Sequence, residues 1–293
     1  MVLCDVTKLI MNSFVTWSQR QNALNMKPLK DKIALITGGA SGIGKIMVRL
    51  LLERNVHVVI WDIDQQKINE TIAEFSNKGA IKGYIVDISD VVQIQNTAKK
   101  VKEEIGIIDI LINNAGTVVG KYFHEHTIDN IQKTMEINAN APMIITNEFL
   151  ADMIQRNSGH ICNIASSGGL VSNPKMAVYA ASKWSVIGWS DSFRLEMRQL
   201  KKNIHVTTVM PYYINTGMFD GVQSKIPILE PEKVALTIIK AIEKNKKMIT
   251  IPGYIYRLTR TAQGLLPLKA FDWVAGSLFG IYKTMEHFTG HKK

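Results

Sequence analysis

Cysteine is nearly absent: Cys4 and Cys162 are the only two among 293 residues. Two are too few for a disulfide framework, and they lack the paired spacing of a zinc or iron–sulfur site. A reducing, cytoplasmic setting is expected, and Cys162, inside an apolar run, reads as a small inert hydrophobe. Long hydrophobic stretches are missing too. Every apolar run meets Lys, Arg, Asp or Gly well before the roughly 18 residues a membrane-spanning helix needs, and the first residues lack a signal-peptide pattern. No internal repeat or low-complexity segment competes with a globular reading.

Acidic residues are the scarcer charge. The chain carries 35 Lys and Arg against 25 Asp and Glu, a formal net charge of +10. Such a balance raises nucleic acid as a partner, so the location of the charge matters. Residues 33 to 239 hold 20 basic and 20 acidic side chains, so the whole excess lies at the two ends. A neutral body with basic ends, and no zinc-finger or RNP-type motif, argues against a nucleic-acid partner.

What is present is enough apolar residue, 46% of the chain, for one large core. From residue 33 short β-branched runs alternate with helical periodicity, the sign of parallel βαβ units. Strands are expected at 33–37, 56–61, 83–87, 109–114, 160–166 and 205–211, with a seventh at 247–252. Amphipathic stretches such as 44–55 and 90–105 supply crossover helices. Near-continuous apolar strands separated by helices imply a sheet covered on both faces. The expected architecture is α/β, a doubly wound (Rossmann) parallel sheet of about seven strands in a single domain over residues 31–252. Residues 1–30 form an N-terminal amphipathic extension and residues 253–293 a basic C-terminal one.

The first strand runs directly into TGGASGIG, residues 37–44, and then into a helix. That context separates a dinucleotide loop from a chance glycine cluster. Gly38 permits the tight turn, Gly42 lets backbone approach a pyrophosphate, and Gly44 allows helix-to-strand contact; Ser41 and Ile43 complete the loop. The helix N-terminus offers unpaired N–H groups to phosphate. A purely structural glycine turn is the bland alternative. The second strand ends at Asp62, 18 residues beyond Gly44, where a carboxylate can accept both ribose hydroxyls and repel a 2′-phosphate. NAD is therefore expected over NADP. Asp64 reads as a solvated turn residue, and Asp87 as either an adenine contact or the cap of the next helix.

The chemistry is carried by Ser166, by Tyr179 thirteen residues on, and by Lys183 four further, within YAASK. On a helix, i and i+4 share a face, so the phenol and ammonium enter one cleft. Oxidising an alcohol needs a base for its proton, and free tyrosine, with a pKa of about 10, holds its own too tightly near neutrality. The nearby ammonium and the positive nicotinamide ring are both expected to favour the phenolate and lower that pKa. Ser166 would hold the substrate oxygen, and Lys183 the nicotinamide ribose as well. NNAG, residues 113–116, places Asn114, Ala115 and Gly116 after the fourth strand, where small residues suit backbone packed against the adenosine half of the cofactor.

With TGGASGIG, NNAG, Ser166 and YAASK in this order, the sequence resembles the short-chain dehydrogenase/reductase family. The resemblance implies a fourth catalytic position at Asn138, whose backbone and side chain would hold a water in a proton relay with the lysine. It also implies cofactor contacts from Pro211, Ile214 and Thr216, although Tyr212 stands where the family commonly has glycine. It implies a homodimer built on helices near 130–156 and 178–201. Segments 61–63, 211–221, 227–235 and 265–288 resemble the retinol and 17-beta-hydroxysteroid dehydrogenase branch of the family. That similarity implies a lipophilic alcohol or carbonyl as substrate and peripheral contact with a membrane or lipid droplet, although the long hydrophobic N-terminal anchor of the branch is here a short segment.

Alternatives remain at this level: an NADPH-dependent carbonyl reductase, against which Asp62 speaks, or a catalytically silent cofactor-binding interaction protein, against which the intact Ser166, Tyr179, Lys183 and Asn138 speak. His124, His126 and His205 read as loop or surface histidines; Met210, Met218 and Phe219 as core or pocket lining. At the ends, apolar residues recur at helical spacing over 3–17 and mix with Lys and Arg over 254–288. Such segments lie in a membrane interface or else cover the sheet and roof the pocket.

Overall fold

The computed structural model describes residues 28–290; the amphipathic segment expected at 3–17 lies outside them. Seven parallel strands form one sheet in the order β3-β2-β1-β4-β5-β6-β7. They are β1 Ile33–Thr37, β2 His57–Asp62, β3 Ile81–Ile85, β4 Ile110–Asn113, β5 Gly159–Ile164, β6 Ile204–Pro211 and β7 Met248–Ile251. The helices are α1 Gly42–Leu52, α2 Gln65–Phe75, α3 Val91–Glu104, α4 Ile128–Met135, α5 Ala141–Arg156, α6 Ala177–Gln199, α7 Pro231–Glu243, α8 Tyr254–Leu265 and α9 Leu268–Trp273.

Alternate residues of each strand feed two cores. Ile36, Val58 and Ile60 meet Met47 and Leu51 of α1 and Ile238 of α7 on one face. Leu35, Val59, Trp61 and Leu111 meet Ile94 of α3, Phe149 of α5 and Phe193 of α6 on the other. Burial on both faces is why these strands read as unbroken apolar runs. Strand order reverses between β1 and β4, and a crevice opens at their carboxyl ends.

The expected strands all exist, with boundaries moved by a residue or two. The third differs most: it runs 81–85 rather than 83–87, with Ile81 paired to Val58. Gly83 lies mid-strand, where a Cβ would overlap Ile68 of α2, so this glycine makes room for a helix instead of opening the strand. His205 is neither loop nor surface. It lies half-buried in β6, its ring 5.9 Å from that of His160.

Candidate active site

The crevice holds a cleft of about 330 Å³. Its floor is the turn from β1 into α1, where Gly38 and Gly42 adopt φ of 64° and 52°, backbone that favours glycine. Gly44 packs so closely that a Cβ there would overlap the Gly38 carbonyl oxygen. Ser41 is the N-cap of α1 but makes no side-chain capping bond, so it leaves the first N–H groups of that helix available to an anion. Asn114 ties the second wall to the first: its Nδ2 donates to the Thr37 and Gly38 carbonyls at 3.0 and 3.2 Å. Thr37 returns the contact, its hydroxyl accepting from the Asn114 and Ala115 N–H groups at 3.0 and 3.1 Å. Thr37, at the edge of the glycine motif, was not singled out in the sequence because its partners are 77 and 78 residues away.

At the far rim the Asp62 carboxylate accepts from Ala40 N at 3.1 Å and Asp64 N at 3.3 Å, which fixes it at the mouth of the cleft. Asp64 faces away as the cap of α2, accepting from Lys67 N at 3.1 Å. Asp87 lines the cleft and accepts from Ser89; capping of α3 falls to Asp90. The cap alternative for Asp87 is therefore corrected. Pro211, Ile214 and Thr216 also line the cleft, as do Ile43 and Gly116. A dinucleotide fits these residues: glycine backbone and helix N–H groups at the middle, a fixed carboxylate at one end, small residues along the wall. Tyr212 replaces the glycine without strain, since its φ is not positive; its N–H donates to Ile251 O at 2.8 Å and its hydroxyl pairs with Ser224 at 2.8 Å.

Ser166, Tyr179 and Lys183 meet at the inner end of the cleft. Ser166 lies just past β5, at the head of a short 3-10 turn, and accepts from Gly168 N at 3.0 Å. Tyr179 is in the first turn of α6 and hydrogen-bonds Ser166. Lys183 follows one turn later, its Nζ donating to Ile164 O at 3.0 Å and lying 5.7 Å from the Tyr179 ring centre. Burial pushes the phenol up to about 12, and the Ser166 bond works the other way without cancelling it. Burial also pushes the Lys183 ammonium down to about 8. In the protein alone desolvation therefore dominates at Tyr179, and the Lys183 ammonium is aimed at the Ile164 carbonyl.

Asn138 sits in a π-helical turn, Glu136–Asn140, between α4 and α5. Its Oδ1 accepts from Thr117 N at 2.8 Å, and its Nδ2 donates to Thr117 O at 2.8 Å and Ser182 Oγ at 3.1 Å. Ser182 in turn donates to the Tyr179 carbonyl at 2.7 Å. The side chain therefore binds the loop after NNAG to α6, and both its N–H groups are committed. Among the other residues left open, Met210 is core, Met218 lines the cleft, and Phe219 stands edge-on to Tyr179 at 6.0 Å.

A second cavity of about 150 Å³ adjoins Ser166, and its walls are mostly apolar. Tyr212, Tyr213 and Phe219 form one side, while Ile255, Leu258, Phe271, Val274 and Phe279 of the C-terminal segment roof it. Ser166, Tyr212 and Phe219 border both spaces. Residues 254–281 thus do roof a pocket.

A doubly wound sheet with a glycine loop, a polar cleft and a Ser–Tyr–Lys group beside an apolar cavity defines a nicotinamide-dependent oxidoreductase of the CH–OH group. Residues 32–227 match the family described as short chain dehydrogenase, and the chain belongs to that family. It is 34% identical to epidermal retinol dehydrogenase 2 of Mus musculus, with 91% of this chain and 89% of the relative covered. It is 35% identical to estradiol 17-beta-dehydrogenase 11 of Homo sapiens, over 82% and 81% of the two chains. A short chain dehydrogenase/reductase from Burkholderia phymatum, solved in complex with NAD, shares the fold with a TM-score of 0.75, at 23% identity and covering 82% of this chain and 95% of its own.

Proposed function

We propose that this protein interconverts an alcohol and a carbonyl on a lipophilic molecule of the retinol, steroid or long-chain type, using NAD, with Tyr179 as acid/base. The observation that carries the reading is the position of Ser166, which borders both the polar cleft and the apolar cavity with the Tyr179 phenol beside it. The nicotinamide, when bound, supplies the two-electron acceptor and a positive charge. Ser166 holds the substrate oxygen, and Tyr179 takes the hydroxyl proton as the alcohol is oxidised. A phenol that the protein alone holds near 12 needs added positive charge to release its proton near neutrality, so the base becomes competent once the cofactor has bound. Lys183 contributes its charge and a ribose contact, and Asp62 accepts the ribose hydroxyls, the basis for preferring NAD. The names of the two relatives support the substrate class.

The test is a matrix of NAD and NADP against retinol, estradiol and dodecanol with purified protein. Faster turnover with NADP than with NAD overturns the cofactor assignment. Tyr179→Phe is expected to cut kcat by about 10²- to 10⁴-fold while NAD affinity stays within about twofold. A mutant as active as the parent removes Tyr179 from this role.

The C-terminal segment also supports peripheral binding to a membrane or lipid surface. Leu265, Leu268 and Trp273 are 77%, 75% and 65% exposed, with Arg257, Arg260 and Lys269 exposed around them. A homodimer through α5 and α6 is the reading for assembly, with Trp184 and Leu195 of α6 exposed at 39% and 43%.

A further inference from the structure

The last described residues, 281–290, reach back across the molecule to the loops that border the reacting groups. Met285 and Phe288 join Val118, Met176, Tyr213, Phe219 and Tyr179 in one apolar cluster. Thr289 N donates to Asp220 O at 2.9 Å, and Gln223 N donates to Thr284 O at 3.1 Å. At the centre lies Thr284, 1% exposed. Its hydroxyl donates to Ile281 O at 2.9 Å and accepts from Asn173 Nδ2 at 2.7 Å. The Thr284 and Tyr213 hydroxyls also pair at 3.0 Å, where either can donate. Asn173 Nδ2 also donates to the Tyr213 oxygen at 3.1 Å, which fixes that ring from two sides. Tyr213 then stands edge-on to Phe219 at 5.0 Å, and Phe219 edge-on to Tyr179 at 6.0 Å.

We propose that Thr284 is a positioning residue for substrate: through Tyr213 it sets Phe219, the shared wall of cleft and cavity, against Tyr179. Binding of the lipophilic alcohol therefore depends on the C-terminal segment, whereas the cofactor, which meets that segment's influence at Phe219, is held chiefly by the Gly38–Gly44 turn and Asp62. The reasoning is geometric. The hydrogen bonds of Thr284 go to Asn173, Tyr213, Ile281 and Gln223, of which the first three line the apolar cavity and none lines the cleft, whereas the Gly38–Gly44 turn and Asp62 are held by β1, β2 and β4. The proposal rests on reading that cavity as the substrate site.

The experiment measures the Kd of retinol by its fluorescence, of estradiol and dodecanol by calorimetry, and of NAD, in the full chain. Thr284→Val keeps the shape and removes the hydroxyl; Thr284→Ser keeps the hydroxyl; Tyr213→Phe removes the other half of the bond. Thr284→Val and Tyr213→Phe are each expected to weaken alcohol binding by about 5- to 30-fold, the effect of one lost buried hydrogen bond. NAD Kd stays within about twofold, Thr284→Ser behaves as the parent, and the double variant is no worse than the singles. Unchanged alcohol binding in Thr284→Val, an equal loss of NAD, or a Thr284→Ser variant as damaged as the valine overturns the proposal. If the valine variant does not fold, Tyr213→Phe decides by the same readings. A parent protein that binds none of the three alcohols sinks the substrate reading and this proposal with it; one that binds them without oxidising them sinks only the proposed reaction.

Discussion

Burial acts on Tyr179 and Lys183 in opposite chemical senses with one physical cause: each loses water around its charged form. Burial moves Lys183 towards its neutral amine, with its pKa near 8 against the usual 10.5, while the ammonium still predominates at neutral pH. Between those values the unfolded chain binds the proton and the native chain does not, so this group makes stability rise as pH rises from about 8 towards 10.5. Denaturant titrations of the cofactor-free protein at pH 7.5 and 9.5 are expected to show it. The parent gains about 2 kcal/mol relative to Lys183→Met over that interval. A mutant with the same pH trend as the parent means that the amine is not desolvated. That Tyr179 and Lys183 share a helical face was legible from a spacing of four. The direction of their electrostatics was not, because it depends on how much of the sheet edge and C-terminal segment covers them.

Among elements, the turn from β1 into α1 is the most constrained. A Cβ on Gly44 would overlap Gly38 O and approach Asn114 Nδ2 to 2.8 Å, so both the turn and its tie to β4 must shift. Gly44→Ala is expected to raise the NAD Kd more than tenfold and to cost about 1–3 kcal/mol of stability, the usual price of an overpacked site. Thermal melting and NAD titration check both numbers, and an unaltered NAD Kd would show that the loop does not seat the cofactor. This element was readable because glycine spacing is itself the geometric requirement. The π-helical turn holding Asn138 was not. In sequence it reads as one polar residue inside a helical stretch, and only its bonds to Thr117, 21 residues back, and Ser182, 44 residues on, give it a task.

For the whole molecule, part of the basic excess, Arg257, Arg260 and Lys269, and the exposed Leu265, Leu268 and Trp273 fall on the same C-terminal segment that roofs the cavity. Apolar burial and attraction of Arg257, Arg260 and Lys269 to anionic lipid act together there, the latter worth about 1 kcal/mol per charge near the surface. Flotation with vesicles of mixed phosphatidylcholine and phosphatidylserine should carry the protein upward at low salt, less so at high salt, and weakly with phosphatidylcholine alone. Protein left at the bottom with anionic vesicles at low salt would end the lipid-surface reading. Among the described residues no helix is long and apolar enough to cross a membrane.

Residue order alone determined the doubly wound sheet, the glycine loop and the Ser–Tyr–Lys group, because each is a matter of short-range periodicity or spacing: strand alternated with helix, glycines two to four apart, a four-residue step on one helix. Tertiary structure decided the apolar cavity, the upward shift of the Tyr179 phenol and the role of the last residues. Those depend on Ser166, Phe219, Leu258 and Thr284 arriving at one place from four separate segments, and no local pattern encodes a distance between residues that meet only after the sheet has closed around them.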